Sequence, residues 1–131
     1  MFKRRGVFLT LICLLCQHLN FMPPADVSIL GEFEQVVLLA ILRLGDDAYA
    51  VSIRDEILDC TGRDVARGSI YITLDRLETK GYLRSRLADP TPERGGRAKR
   101  YYALRPKAVE ALKESRRALV ALWRGLEGVL A

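Results

Sequence analysis

Apolar residues recur with helical spacing in three consecutive stretches of the chain. In the first, residues 32–44, apolar side chains occupy nearly every side of the predicted helix. A helix that is apolar all round is buried on more than one side, and in a small domain this pattern favours a partner subunit. The second predicted helix spans Ser52–Cys60, with Cys60 buried as a small hydrophobe. The third begins at Ser69, which we expect to cap it, and is closed by Gly81.

After Gly81 the pattern changes to a period of two, which is typical of strands. Leu83 and Leu87 alternate with Tyr82 and two arginines in the first strand, and residues 100–104 form the second. The residues between the strands are rich in proline, glycine and charge, which predicts a β-hairpin with a long tip. Three helices followed by a basic hairpin have the order of a winged helix-turn-helix. The predicted fold class is therefore α+β, mainly α.

The last predicted helix begins at Pro106, where a missing N–H does no harm, and runs to Leu130. Its apolar residues alternate between spacings of four and three, which is a heptad repeat with one polar break at Ser115. The side chains expected to pair two copies of this helix are Leu112, Leu119, Leu122, Leu126 and Val129. The alternative is that the same face packs on the first helix of its own chain. Together with the apolar first helix, the repeat favours a homodimer.

Charge is distributed unevenly along the chain, although the formal net charge is only +5. Residues 29–64 contain three basic and eight acidic residues, whereas residues 67–107 contain eleven basic and four acidic ones. This positive middle third indicates a polyanionic partner. The alternative is a solvated basic face without a partner.

The sequence offers little catalytic chemistry. The only histidine is His18, and no nucleophile or carboxylate pair stands in a recognisable setting. Cys13 and Cys16 lie in an apolar run without a second pair or a histidine at ligand spacing, so we interpret them as ordinary apolar residues. Three cysteines do not make a disulfide framework, which suits a reducing compartment. We expect no enzyme activity, no cofactor and no metal, and a cytoplasmic protein.

The first 28 residues do not share the pattern of the rest. A basic start and the apolar run of residues 7–16 resemble a secretory signal, but the run is short for a transmembrane helix and lacks a clear cleavage site. Three interpretations stay open: a signal or anchor, a disordered or loosely docked extension, or translation wrongly begun upstream of Met22. We favour the last two and expect no stable membrane association.

The third helix and the hairpin carry side chains that suit DNA. With Ile70, Leu74 and Leu77 in the core, other positions of the helix can reach base edges in a major groove. The candidates for base contacts are Ser69, Ile72, Thr73 and Arg76. The candidates for contacts with the DNA backbone are Tyr71, Lys80, Arg94, Arg97, Lys99, Arg100 and Tyr101. A solvated amphipathic helix without a nucleic-acid partner would show a similar stripe.

Three segments have a distinctive sequence: residues 31–57, then RGSIYITLDRLETKGYLRSRL, then ERGGRAKRYYAL. Together they resemble the PadR family of bacterial transcriptional regulators. The most specific features are Tyr71 three positions before Leu74 and the GGRAKRYYAL run of the predicted hairpin. The resemblance implies a winged-helix homodimer that usually represses transcription, with the C-terminal helix pairing with a partner subunit. Some short relatives bind flat aromatic compounds against a tryptophan of that helix. This implies an effector pocket at Trp123, unless Trp123 is simply part of the dimer interface.

The sequence therefore predicts three parts. These are a non-family extension over residues 1–28, a winged-helix DNA-binding domain over residues 29–105 and a dimerisation helix over residues 106–131. The predicted function is sequence-specific binding of double-stranded operator DNA by a homodimer, most simply a repressor that an aromatic small molecule relieves. Two alternatives stay open: a winged-helix module that binds an acidic protein, and a membrane-associated regulator anchored by residues 7–16.

Overall fold

The computed structural model describes residues 29–88 and 98–129. The predicted extension, residues 1–28, lies outside the described residues, and so does the anchor considered for residues 7–16. Residues 89–97, at the tip of the hairpin, lie outside them as well. Within the described ranges, no helix is long and apolar enough to cross a membrane.

Helices and strands follow each other in the order that the sequence predicts. The elements are α1 (Glu32–Leu44), a 3₁₀ turn (Gly45–Asp47), α2 (Ala50–Thr61), α3 (Arg67–Thr79), β1 (Leu83–Leu87), β2 (Arg100–Leu104) and α4 (Pro106–Trp123). The helix-turn-helix consists of α2 and α3, and the antiparallel pair β1 and β2 forms the wing. The predicted fold class, a winged helix-turn-helix followed by a long helix, is confirmed.

The hydrophobic core lies between α1, α2, α3 and the base of the wing. Val37, Leu38 and Ile41 of α1 are buried in it, together with side chains of the other two helices and the hairpin. Leu39 and Leu42 lie elsewhere on α1 and remain about half exposed. The described part of the chain therefore does not bury the apolar first helix on every side.

The wing is attached to the segment that precedes α2. Tyr101 of β2 forms an isolated antiparallel bridge with Tyr49. The Tyr102 N–H donates a hydrogen bond of 2.8 Å to the Ala48 carbonyl. This third strand position was not predicted, because a single bridge leaves no alternating run in the sequence. The bridge and the hydrogen bond together fix the base of the wing against the helix-turn-helix.

The end of α3 corrects the prediction that Tyr82 and Leu83 lie on opposite faces of a strand, since both are buried. Gly81 adopts a φ of +82°, which glycine accepts without steric cost. This turn lets the Tyr82 N–H reach back to the Leu77 carbonyl at 2.9 Å, which is a Schellman arrangement. Tyr82 and Leu77 are both buried as a result. Leu87, predicted to share a face with Leu83, is exposed because β1 runs beyond the core.

The last helix is shorter than predicted. It ends at Trp123, and Gly125 follows with a φ of +84°, which reverses the chain. Leu126 and Val129 lie beyond this turn, so the prediction of a continuous helix to Leu130 is wrong. The heptad repeat continues in the sequence, but a turn at Arg124 and Gly125 ends the helix that would have carried it.

Two smaller predictions are also wrong. The third helix begins at Arg67 with Ala66 as its N-cap, so Ser69 lies within the first turn and does not cap it. Cys60 is exposed, because the last turn of α2 projects beyond the core and its residues 58–61 all face solvent. The Cys60 thiol donates to the Glu56 carboxylate at 3.3 Å.

Candidate nucleic-acid interface

The third helix has one face in the core and presents another to solvent. Ile70, Leu74 and Leu77 are fully buried, so the helix cannot turn about its axis without exposing them. Three of the predicted base-contacting residues are exposed, namely Ser69, Ile72 and Arg76. Tyr71 and Ile72 are 55% and 61% exposed. A large apolar side chain that faces solvent beside an arginine offers contacts for a thymine methyl and for a guanine edge.

Thr73 does not belong to the exposed face. It is buried, and its hydroxyl donates a hydrogen bond of 2.8 Å to the Ser69 carbonyl one turn earlier. Thr73 follows Ile70 by three positions, which turns it toward the same side of the helix. The structure therefore counts against the prediction that Thr73 contacts base edges.

Lys80 is held by a carboxylate of its own chain. Its Nζ lies 2.7 Å from Oε1 of Glu34, and the two side chains are only 33% and 9% exposed. Burial raises the pKa of Glu34, but the hydrogen bonds from Lys80 and the Gly31 N–H more than offset this and leave the pKa below its ordinary value. Because an ionised Glu34 neutralises Lys80, this geometry counts against a backbone contact by Lys80.

Aromatic rings hold two cations at the base of the wing. The Lys99 ammonium lies 3.7 Å from the centre of the Tyr49 ring, and the Arg86 guanidinium lies 4.8 Å from that of Tyr101. The two rings meet edge to face, with centroids 5.7 Å apart. Contacts of this kind stabilise a cation by about 0.5–1 kcal/mol at exposed sites. They orient Lys99 beside the helix-turn-helix.

A recess of about 330 Å³ lies between the start of α2, α3 and the wing. It brings together three of the predicted backbone-contacting residues, Tyr71, Lys99 and Arg100. Tyr101 does not line it and instead lies with Arg84 and Arg86 in a neighbouring depression. Burial raises the pKa of Tyr102, which also lines the recess, so its phenol stays neutral at physiological pH. The recess is lined by two cations and three phenols, those of Tyr49, Tyr71 and Tyr102, which suit an anion.

Sequence reasoning missed two residues that shape this interface, Tyr49 and Glu34. Tyr49 gave a weak signal as an aromatic residue directly before a helix start. Glu34 gave a better one, because it is a charged residue on the buried side of an otherwise apolar helix. Its partner is 46 positions away, which no local pattern reveals. Arg94 and Arg97 lie outside the described residues.

A second surface lies on the other side of α1. Leu39 and Leu42 of α1 and Leu119, Val120 and Trp123 of α4 line a mainly apolar groove of about 420 Å³. Of the residues predicted to pair two subunits, Leu112 is buried at the inner end of this groove, while Leu119, Leu122, Leu126 and Val129 are exposed. Trp123, predicted to line an effector pocket, lies at its outer part and is half exposed.

The fold and this interface define a class, that of winged helix-turn-helix proteins with an added C-terminal helix. Residues 38–114, more than half of the chain, match the model of the transcriptional regulator PadR-like family. The chain belongs to this family of transcriptional regulators, and the predicted resemblance is confirmed. No curated protein matches the sequence.

Solved structures share the fold at low sequence identity. A transcriptional regulator from Clostridium thermocellum is 19% identical, with 75% of this chain and 89% of that one covered and a TM-score of 0.61. A PadR family transcription regulator from Clostridium difficile is also 19% identical, with coverages of 76% and 99% and a TM-score of 0.60. One from Eggerthella lenta is 18% identical, with coverages of 99% and 97% and a TM-score of 0.58.

Proposed function

We propose that this protein is a sequence-specific DNA-binding transcriptional regulator that acts as a homodimer, most simply as a repressor in the cytoplasm. One observation carries the proposal: the exposed face of α3 adjoins the recess that contains Lys99 and Arg100. An α-helix fits the major groove, and cations beside it fit the phosphates that border that groove. Residues 29–105 would form the DNA-binding domain.

Base contacts and backbone contacts are divided between the two elements. Ser69, Ile72 and Arg76 on α3 contact base edges. In the recess, Tyr71, Lys99 and Arg100 bind phosphates. Further phosphate contacts come from Arg94, Arg97 and Tyr101 of the wing. The acidic Asp75 and Glu78 weaken the positive field on α3, so most of the affinity comes from the wing.

Dimerisation through residues 106–131 is supported by the apolar groove. Leu39, Leu42, Leu119 and Leu122 are about half exposed or more, and such side chains next to one another are characteristic of interaction sites. A second copy of α4 would cover them and place two recognition helices on successive half-sites, about one turn of DNA apart. Because Trp123 lines the same groove, an aromatic compound bound there would alter the dimer and so the affinity for DNA.

The test begins with selection of duplexes from a random-sequence pool by the purified protein. We then measure the affinity for the most enriched duplex and for a scrambled one against salt. A dimer with six to ten phosphate contacts loses about 10³–10⁵ in affinity between 50 and 200 mM salt. No enrichment, with weak binding to every duplex, would instead support the alternative of a module that binds an acidic protein.

A pair of double variants tests where the phosphates bind. Lys99→Gln with Arg100→Gln should weaken binding to both duplexes alike and reduce the salt slope by about 1.8. Arg117→Gln with Arg124→Gln removes the same charge from exposed positions of α4 and the turn after it. An equal loss in this control, with the dimer dissociation constant unchanged, would assign the effect to net charge. Quenching of Trp123 fluorescence by a panel of flat aromatic compounds tests the proposed effector. If no compound quenches the fluorescence, an aromatic effector at Trp123 is excluded.

A further inference from the structure

Three helices meet at Lys80, the residue that caps the C-terminal end of α3. Its ammonium binds Glu34 in the first turn of α1 at 2.7 Å. Its carbonyl accepts a hydrogen bond of 3.4 Å from Lys107 Nζ in the first turn of α4. The same Lys107 ammonium lies 5.0 Å from the centre of the Tyr82 ring, just after α3. The end of the recognition helix is thus joined to both of the helices that line the apolar groove.

The Glu34 carboxylate has both oxygens engaged. Oε1 accepts from Lys80, and Oε2 accepts from the Gly31 N–H at 3.1 Å. The positive charge of Arg76 on α3 also contributes to the lowered pKa of Glu34. A buried carboxylate is tolerated only while it is paired, and loss of its partner leaves a costly unpaired charge. Any shift of α3 that moves Lys80 away is therefore opposed by Glu34.

This arrangement gives Lys80 a role other than a phosphate contact. A cation bound to a buried carboxylate brings no free charge to DNA, but it fixes the backbone to which it belongs. Lys80 is the first residue after the last turn of α3, one turn beyond Arg76. The angle at which α3 meets a groove thus depends on where Glu34 holds its C-terminal end.

We propose that Glu34 is a positioning residue for DNA recognition, acting through Lys80 to fix the orientation of α3. The inference rests on the proposed DNA-binding function and concerns sequence preference rather than affinity. Its measure is the ratio of the affinity for the most enriched duplex to that for the scrambled duplex.

Glu34→Gln is the informative variant, because electrostatics and positioning predict different outcomes for it. The amide keeps the size of the side chain and an oxygen for the Gly31 N–H, but it removes the negative charge. Charge alone predicts tighter binding to every duplex, since the protein becomes more positive. Positioning predicts that the affinity ratio falls by about tenfold, which is a typical effect of breaking a contact between coupled residues.

The matched control is Glu56→Gln. It makes the same change of charge and breaks an ion pair of the same length, 2.7 Å, between Glu56 and Arg43. That pair joins α2 to α1 and does not touch α3. The affinity ratio of this variant should equal that of the wild-type protein. A fall as large as that of Glu34→Gln would overturn the inference.

Lys80→Gln distinguishes positioning from a phosphate contact, and it keeps the inference testable if Glu34→Gln does not fold. Under the proposal, both single variants and the double variant lower the ratio to the same extent, and the salt slope stays at its wild-type value. A lower affinity for both duplexes with the salt slope reduced by about 0.9 would show that Lys80 binds a phosphate and would overturn the inference.

Binding is measured well below the melting temperature of each variant, with folding checked by circular dichroism. If the Glu34→Gln protein has a lower melting temperature but the wild-type affinity ratio, the ion pair only stabilises the fold. The inference then fails, while the proposed function stands. If the wild-type protein enriches no sequence, the proposed function fails and the inference with it.

Discussion

Two surfaces of the described residues carry exposed apolar side chains in different surroundings. On α3, Tyr71 and Ile72 stand next to Arg76 and the cations of the recess. In the groove between α1 and α4, leucines, two valines and Trp123 line one surface, with only three polar or charged side chains among them. A lone apolar side chain among cations suits a polyanion that carries methyl groups, whereas contiguous ones suit another apolar surface. The same residue types are thus suited to different partners according to their neighbours.

The largest expected effect is on the groove. Leu119→Glu places a charge where we propose that two subunits meet. Because an unpaired charge buried at an interface is strongly unfavourable, the dimer dissociation constant should rise by about 10²–10³-fold. Sedimentation equilibrium measures this change directly.

Leu58→Glu is the matched control for the groove. Leu58 is 41% exposed and Leu119 is 51% exposed, but Leu58 lies on α2, away from the groove. The control should leave the dissociation constant unchanged. If the wild-type protein is a monomer at micromolar concentration, or if both variants dissociate alike, the groove is not the dimer interface.

The second prediction concerns the ion pair between the two surfaces. Glu34→Gln should lower the free energy of unfolding at pH 7 by about 1–2 kcal/mol. This is less than the loss of a fully buried ion pair would cost, because Lys80 is partly exposed. The folded pKa of Glu34 is lowered from 4.5, so its carboxylate stabilises the fold above that value. The contribution is lost as the pH falls through the folded pKa.

Urea unfolding of both proteins at pH 7 and at successively lower pH measures this dependence. The two stabilities should converge as Glu34 of the wild-type protein becomes protonated. A difference that is independent of pH would show that the charge of Glu34 is not the source of its contribution.

Local patterns predict most of the fold. The helical periods of α1 to α3, the change to a period of two after Gly81 and the basic run before β2 are each short-range signals, and together they give the winged helix in the right order. Three of the four residues predicted to contact bases are exposed as expected. Thr73 is the exception, since it lies near the boundary between the buried and the exposed face. At such a position the helical period alone does not show whether a side chain is buried.

Other features could not be read from local patterns. The pairing of Glu34 with Lys80 depends on how α1 packs against the end of α3, which sequence spacing does not encode. Tyr82 is buried by a backbone turn at Gly81 rather than by the alternation of a strand. The early end of α4 had a local signal in Gly125, but the continuing heptad repeat concealed it. Packing and turn geometry override periodicity at each of these places.

The third prediction separates the two parts of the proposed DNA-binding surface. Arg76→Ala should reduce the affinity for the most enriched duplex by about 1–3 kcal/mol and relax the preference at one or two positions. Arg100→Gln should weaken binding to enriched and scrambled duplexes equally. Repeating the selection with each variant measures the preference. A changed preference with Arg100→Gln, or an unchanged one with Arg76→Ala, would contradict this division.

The smallest effect is expected at Cys60, which lies on neither surface. Its thiol is exposed and donates to Glu56, and a serine hydroxyl can make the same contact. Cys60→Ser should therefore change the free energy of unfolding by no more than about 0.5 kcal/mol and leave both dimerisation and DNA affinity unchanged. Urea unfolding and the two binding assays test this. A loss of several kcal/mol would mean that Cys60 is buried in solution, as a small hydrophobe inside the core would be, and that a further contact covers the end of α2.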